Sequence, residues 1–299
     1  MTSDNENGCR LCPRQCNADR EHARGACGCG AELMVARAAL HMWEEPCISG
    51  SRGSGAVFFS GCPLHCIYCQ NRDISNGKAG RIIEKERLSE IFLKLQAKGA
   101  ANINLVTPGH YAPAVVWAVR DAKENGLTLP VICNNGGYET LETLRILSEA
   151  VDVWLPDLKY LNPDTAERFS HAPDYPDRAK AAIDFMVKHA GTLVTDANGY
   201  VKKGVIVRHL VLPGHVEEAK DVIRYLHETY GDAVWLSIMN QYTPPKQELP
   251  YRELNRRLTT YEYEKTVDFA LSLGVENAYI QEGGTAKESF IPAFDGEGV

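Results

Sequence analysis

The sequence predicts an α/β fold, a partial (β/α)6-type barrel that carries a small cysteine-rich N-terminal extension. Three observations predict it. From Ala56 onward, short apolar runs alternate with amphipathic stretches, the pattern of repeated βα units. The chain has 299 residues, enough for one large barrel domain, and at that length folding buries about 75% of the unfolded surface without help from disulfides. Residues 1–30 break the pattern: they hold five of the ten cysteines, several glycines and arginines, and almost no periodic apolar residues. The expected division is an extension over 1–49 and a barrel over 50–299, joined near Gly50, Gly53 and Gly55.

Taken in order, the expected strands are Ala56–Ser60, Asn102–Val106, Leu129–Cys133, Val151–Leu155, Val205–Val211, Val234–Ile238 and Asn277–Ile280. Each is a short apolar run bounded by polar or turn-forming residues. Helices are expected between them. Glu84–Lys98 is the clearest, because Leu88, Ile91, Phe92 and Leu95 recur at helical spacing. The others are Pro113–Asn125, Glu139–Glu149, Tyr175–His189, Glu217–Thr229 and Glu262–Leu273. Six or seven parallel strands with short βα loops make an incomplete barrel. The chemistry of such a barrel sits at the C-terminal strand ends.

The loop after the first strand carries Cys62, Cys66 and Cys69, spaced C-x3-C-x2-C. It offers three thiolates. A [4Fe–4S] cluster has four irons and usually takes one cysteine on each, so three ligands leave one iron open to bind something else. Zinc is the competing reading, but structural zinc wants four ligands. His65 is the one nearby candidate, and between Cys62 and Cys66 it has poor reach. A disulfide reading requires an oxidising compartment, and the polar, acidic start Met1–Asn7 lacks the apolar core of a secretory signal.

A second group of cysteines precedes the barrel: Cys9, Cys12 and Cys16, then Cys27 and Cys29. Four of these close either a tetrahedral zinc site or a second Fe–S cluster; Cys9, Cys12, Cys16 and Cys27 are the expected set. So short a segment has little core of its own, and bound metal would fold it. Cys47 and Cys133 read as buried packing residues.

Net charge is −7 and the isoelectric point near 5.8, which argues against a nucleic-acid or anionic-membrane partner. No apolar run approaches the ~20 residues that span a bilayer. Ten cysteines in a chain read as cytoplasmic point to metal or redox chemistry.

The cysteine loop resembles that of the radical S-adenosylmethionine (SAM) superfamily. Glu44–Gly50, Cys69-Gln70-Asn71, Asn102–Tyr111, Leu155–Tyr160 and Val207–Gly214 extend the resemblance over nearly the whole length, toward the pyruvate formate-lyase activating enzyme-like group. The resemblance implies a [4Fe–4S] cluster on Cys62, Cys66 and Cys69, with SAM on the open iron. Electron transfer then gives a 5′-deoxyadenosyl radical that abstracts hydrogen. It also implies Tyr68 near the adenine, Asn134 near the ribose, and Asp157 and Lys159 at the end of the fourth strand, with Lys159 facing the SAM carboxylate. Arg208 and His209 end the next strand, where a histidine contacts SAM in the activases. Thr107-Pro108-Gly109-His110 stands where the family usually has Gly-Gly-Glu, so Thr107, His110 or backbone carbonyls must serve the SAM amino group. Gln241-Tyr242 and Gly283-Gly284-Thr285 are further rim candidates.

Three functions follow as expectations. A glycyl-radical-enzyme activase would show an open barrel mouth and act on a protein substrate. A radical SAM enzyme acting on a small molecule or peptide would enclose its pocket. A non-enzymatic Fe–S or zinc protein would need no SAM site. The first two imply an electron donor such as flavodoxin or ferredoxin.

Overall fold

The strands are β1 (Met34–His41), β2 (Ser54–Phe59), β3 (Arg81–Ile82), β4 (Ile103–Val106), β5 (Val131–Asn135), β6 (Val153–Pro156), β7 (Val194–Thr195), β8 (Val201–Leu210), β9 (Trp235–Met239) and β10 (Ala278–Ile280). These come from a computed structural model that describes residues 8–281 and 291–299. The helices are α1 (Pro46–Ser49), α2 (Arg72–Ser75), α3 (Lys85–Ala97), α4 (Ala112–Glu124), α5 (Leu141–Ser148), α6 (Pro163–Ser170), α7 (Tyr175–Ala190), α8 (Val216–Tyr230) and α9 (Thr260–Ser272).

All strands join one sheet, in the order β10-β9-β8-β6-β5-β4-β2-β1-β3, with β7 beside β8. From β2 to β10 along that path every pairing is parallel. Strands buried on both faces read as continuous apolar runs; every residue of β2, β4 and β6 is buried. The path ends at β3 on one side and β10 on the other, so the barrel is partial, as expected. Helices cover its outside. In α3 the apolar stripe Leu88, Ile91, Phe92 and Leu95 is buried, and Trp154 and Phe92 are among the largest fully buried side chains. Among the described residues no helix is long and apolar enough to cross a membrane.

Two differences from the sequence reading bear on function. Residues 34–41, inside the stretch read as an extension, form β1, antiparallel to β2 from Val35↔Phe59 to His41↔Ser54. The C-terminal residues reinforce it: Ala38 N–H donates to Glu297 O at 2.8 Å and Arg37 pairs with Asp295 and Glu297. The second difference is α6. Asn162 caps it through Asp164 N, Pro163 occupies its first turn, and His171 ends it in the left-handed conformation. That arrangement of Asn, Pro and a left-handed closing residue is a helix signature at both ends.

Candidate functional site

The C-terminal ends of the parallel strands surround a cleft with about 1270 Å3 of empty space, part of it open to solvent. Cys62, Cys66 and Cys69 line it, together with Tyr68, Thr107, Asn134, Asp157, Lys159 and Arg208. Most of the side chains singled out from the sequence are thus brought together by the fold.

The loop begins where β2 ends. Gly61 makes the turn at φ +93°, and a Cβ there would stand 2.6 Å from Cys29 Sγ and 2.9 Å from Cys27 O, so only glycine admits the N-terminal cysteine segment at this point. Ile67 N–H donates to Phe169 O at 2.9 Å and Cys69 N–H to Cys66 O at 3.0 Å. Backbone N–H groups of Leu64 and His65 face Cys62, and that of Asn71 faces Cys69. The Ser170 hydroxyl donates to Cys66 Sγ at 3.0 Å. Ser170 is in turn bonded to the Tyr160 hydroxyl at 3.0 Å, and Tyr160 to Tyr68 at 2.6 Å. Burial pushes the Cys62 thiol up to about 12, with the neighbouring Cys66 and Cys69 adding repulsion, and burial raises Cys69 likewise. Thiols buried like this are brought to the thiolate form by a strong positive charge, which is what a metal centre supplies.

The donor set fits a cluster better than zinc. His65, the sole fourth-ligand candidate within the loop, is committed elsewhere: its Nε2 donates to Ala26 O at 2.6 Å and its Nδ1 lies 3.3 Å from Asn76 Oδ1. Among the described residues no three cysteine sulfurs lie within 4.8 Å of one another. A zinc tetrahedron with ~2.3 Å bonds would draw its sulfurs to about 3.8 Å.

Charge on the cleft wall comes in two groups. Lys159 is ion-paired with Asp157; burial alone would lower its pKa, but Asp157 and Cys66 raise it well above the usual lysine value. Arg208 holds Glu45 with both arms, Nε to Oε1 at 2.8 Å and Nη2 to Oε2 at 2.6 Å, and also pairs with Glu44. Burial works against this guanidinium, yet the two carboxylates raise its pKa well above normal, and Arg208 holds Glu45 below its usual range against burial. Glu44 also accepts from Asn104 Nδ2 at 3.0 Å. One guanidinium between two carboxylates leaves this group net negative, and of its two carboxylates Glu44 lines the cleft. Thr107 sits at φ +58°, a costly conformation for a β-branched residue, with its N–H on Asn134 O at 2.7 Å.

Two residues expected at SAM do not line this cleft. On β8 successive side chains point to opposite faces; Arg208 faces the cleft, so His209 turns away and bonds Leu158 O through Nδ1 at 2.7 Å. His110 lies in the turn before α4, buried, with Nε2 on Ser60 O at 2.7 Å and its ring 4.2 Å from that of Tyr111. Burial lowers the pKa of both imidazoles. Gln241 reaches the rim and Gln70 donates to its carbonyl at 2.6 Å, whereas Tyr242 is buried. Gly283, Gly284 and Thr285 lie outside the described residues. Cys47 and Cys133 are core residues, 4% and 0% exposed. Cys9, Cys12, Cys16 and Cys27 gather beside the loop, not in the cleft. Glu44 lines the cleft, Glu45 shares its Arg208, and the sequence reading assigned neither a role. Their adjacency before Pro46 was visible, but their partner is more than 160 positions away.

The chain matches the model of the radical SAM superfamily over residues 56–226. An uncharacterized protein of Methanocaldococcus jannaschii is 29% identical over 279 residues, covering 91% of this chain and 76% of that protein. Among solved structures, Streptococcus suis SuiB bound to S-adenosylmethionine superposes with a TM-score of 0.52 at 12% identity, over 76% of this chain and 50% of that one. SuiB bound to its precursor peptide SuiA gives 0.53 at 12%, over 75% and 47%. A radical SAM methyltransferase from Sphaerobacter thermophilus gives 0.54 at 14%, over 78% and 67%. The chain spans about half the length of SuiB, and at such identities the likeness speaks to the fold alone. The family match itself runs from β2 into α8 and takes in the cysteine loop and most of the cleft wall: the chain belongs to the radical SAM superfamily.

Proposed function

We propose that this protein reductively cleaves SAM in the cleft and uses the product radical to abstract hydrogen from a polypeptide substrate. The observation that carries the reading is the convergence of Cys62, Cys66 and Cys69 with Tyr68, Asn134, Asp157 and Lys159 on one cleft. Three thiolates would hold a [4Fe–4S] cluster, which supplies one electron to the SAM sulfonium when both are bound. The remaining work falls to the chain. Ser170 stabilises the Cys66 thiolate by hydrogen bonding. Lys159 offers a point charge to the SAM carboxylate. The Glu44 carboxylate, part of the net negative group around Arg208, stands in for the glutamate missing from the Thr107–His110 turn and receives the SAM ammonium. Asn134 hydrogen-bonds a ribose hydroxyl.

A polypeptide substrate is favoured because the cleft, among the described residues, is open to solvent. A neighbour of the same fold has been solved with a precursor peptide, which is analogy at the level of fold. A glycine-bearing loop of a partner enzyme would fit the same opening, and this is the activase form of the reading. A one-electron carrier such as flavodoxin or ferredoxin would be the reductant.

The test is anaerobic reconstitution, then dithionite and SAM, with 5′-deoxyadenosine read by chromatography. Wild type should form it and Cys66→Ala should not. No product from an iron-loaded wild type sinks the proposal. A glycyl-radical EPR signal on a partner protein would select the activase form.

A further inference from the structure

Cys9, Cys12, Cys16 and Cys27 converge although residues 8–33 contain no helix or strand. Cys12 has the thiols of Cys27, Cys9 and Cys16 as neighbours, and Cys9 has Arg20 together with the thiols of Cys16 and Cys27. Cys16 Sγ and Cys27 Sγ stand 3.4 and 3.7 Å from the place a Cβ on Gly25 would occupy. A backbone N–H is aimed at each sulfur: Leu11 at Cys9, Arg14 at Cys12 and Cys29 at Cys27, and Ala26 at Cys16, at 3.4 Å. Cys29, the fifth cysteine, is not among the neighbours of Cys9 or Cys12, and its thiol donates to Ser60 O at 3.2 Å.

The same segment grips the cysteine loop of the cleft. Cys62 N–H donates to Cys27 O at 3.1 Å, and His65 bonds Ala26 O at 2.6 Å. Arg14, between Cys12 and Cys16, sends Nε to Pro63 O and Nη2 to Ser170 O, both at 2.9 Å. Ser170 is the residue whose hydroxyl reaches Cys66. Every one of these contacts comes from a residue that is one of the four cysteines or within two positions of one.

We propose that Cys9, Cys12, Cys16 and Cys27 hold a second [4Fe–4S] cluster, and that this centre is the clasp that orders the loop of Cys62, Cys66 and Cys69. No three of these sulfurs lie within 4.8 Å of one another, which suits the corners of a four-iron cube better than a zinc tetrahedron, whose sulfurs would close to about 3.8 Å. A segment without its own core takes its fold from the metal it binds, and the clasp passes that order to the cleft. Only the second half of the proposal rests on the reading of the cleft loop as an iron site.

The experiment begins with Cys62→Ala/Cys66→Ala/Cys69→Ala, reconstituted anaerobically with iron and sulfide. The variant is expected to keep about four irons and four sulfides and a reduced-cluster EPR signal. Adding Cys12→Ser should remove both, while Cys29→Ser should keep them. One zinc in place of iron overturns the cluster, and no bound metal overturns the site. Because this variant lacks the cleft ligands, its iron count stands whether or not the wild type cleaves SAM. The clasp is read by hydrogen exchange in an otherwise wild-type Arg14→Ala protein, which keeps every ligand. The amides of Cys62, Ile67 and Cys69 should exchange at least about tenfold faster, a loss of roughly 1.4 kcal/mol in local stability. Unchanged exchange overturns the clasp.

Discussion

At the scale of single residues, Arg208 and Glu139 make the sharpest claims. Arg208 pairs with two buried carboxylates, with side-chain exposures of 11% for Arg208, 8% for Glu44 and 5% for Glu45. Removing one member of such a group leaves uncompensated buried charge. Arg208→Met should therefore lower the unfolding free energy by about 3–5 kcal/mol in chemical denaturation. Arg208→Lys should restore only part, since an ammonium cannot span both carboxylates as the guanidinium fork does. A loss below about 1 kcal/mol would reduce the group to a surface-type pair. Glu139 is buried with Oε2 unpartnered, and burial, with Asp157 adding to it, pushes its carboxyl up to about 8. Its folded pKa exceeds its ordinary value of 4.5, so folding takes up a proton. The stability from this group is full at pH below about 4.5 and is lost as pH rises through about 8. Glu139→Gln should melt increasingly above wild type as pH is raised from about 4.5 to about 8, and by a constant margin beyond. A melting difference constant with pH throughout would contradict this. The cysteines of the cleft were legible in the sequence because cluster ligation fixes residue type and spacing together. Arg208 could be placed at a strand end, but not assigned to Glu44 and Glu45, because ion pairing over so long a separation leaves no local pattern. His209 was misassigned for a simpler reason: one position along a strand reverses the face.

At the scale of elements, the turn after β5 joins sheet to site. Gly137 sits at φ +74°, and a Cβ there would meet Asp157 O at 2.4 Å. Gly137→Ala should thus press on the Asp157–Lys159 pair as well as strain its own backbone. Gly99 is also left-handed, at φ +86°, with nothing within 4 Å of its Cβ position. Gly99→Ala should pay for the backbone alone, about 1 kcal/mol, and Gly137→Ala clearly more in the same denaturation assay. Equal losses would mean that the Asp157 contact relaxes freely. The helices with strong apolar periodicity, α3 above all, were legible to within a residue or so at each end. β1 was not. Its sequence, Met-Val-Ala-Arg-Ala-Ala-Leu-His, has no strong strand preference, and pairing with β2 imposes the conformation. α6 is short, and its Asn162-Pro163 start was a usable signal.

At the scale of the whole molecule, one open sheet gathers residues from Glu44 to Gln241 around a cleft, and the N-terminal segment is hydrogen-bonded through Arg14, Ala26 and Cys27 to the loop that carries the cleft cysteines. The partial barrel was legible because βα alternation is a property of the whole chain. The contacts of the N-terminal segment were not, since Ala26 and Cys27 offer backbone carbonyls and the Arg14 guanidinium bonds the carbonyls of Pro63 and Ser170, and backbone carbonyls carry no sequence signature. The central claim is that three thiolates leave one iron free for SAM. The most direct measurement is the EPR spectrum of the reduced, reconstituted protein before and after SAM is added. The second cluster's contribution is removed by subtracting the spectrum of the Cys62→Ala/Cys66→Ala/Cys69→Ala variant. The account predicts that the cleft signal changes its g-values on SAM addition. A cleft signal indifferent to SAM at saturating concentration would contradict it.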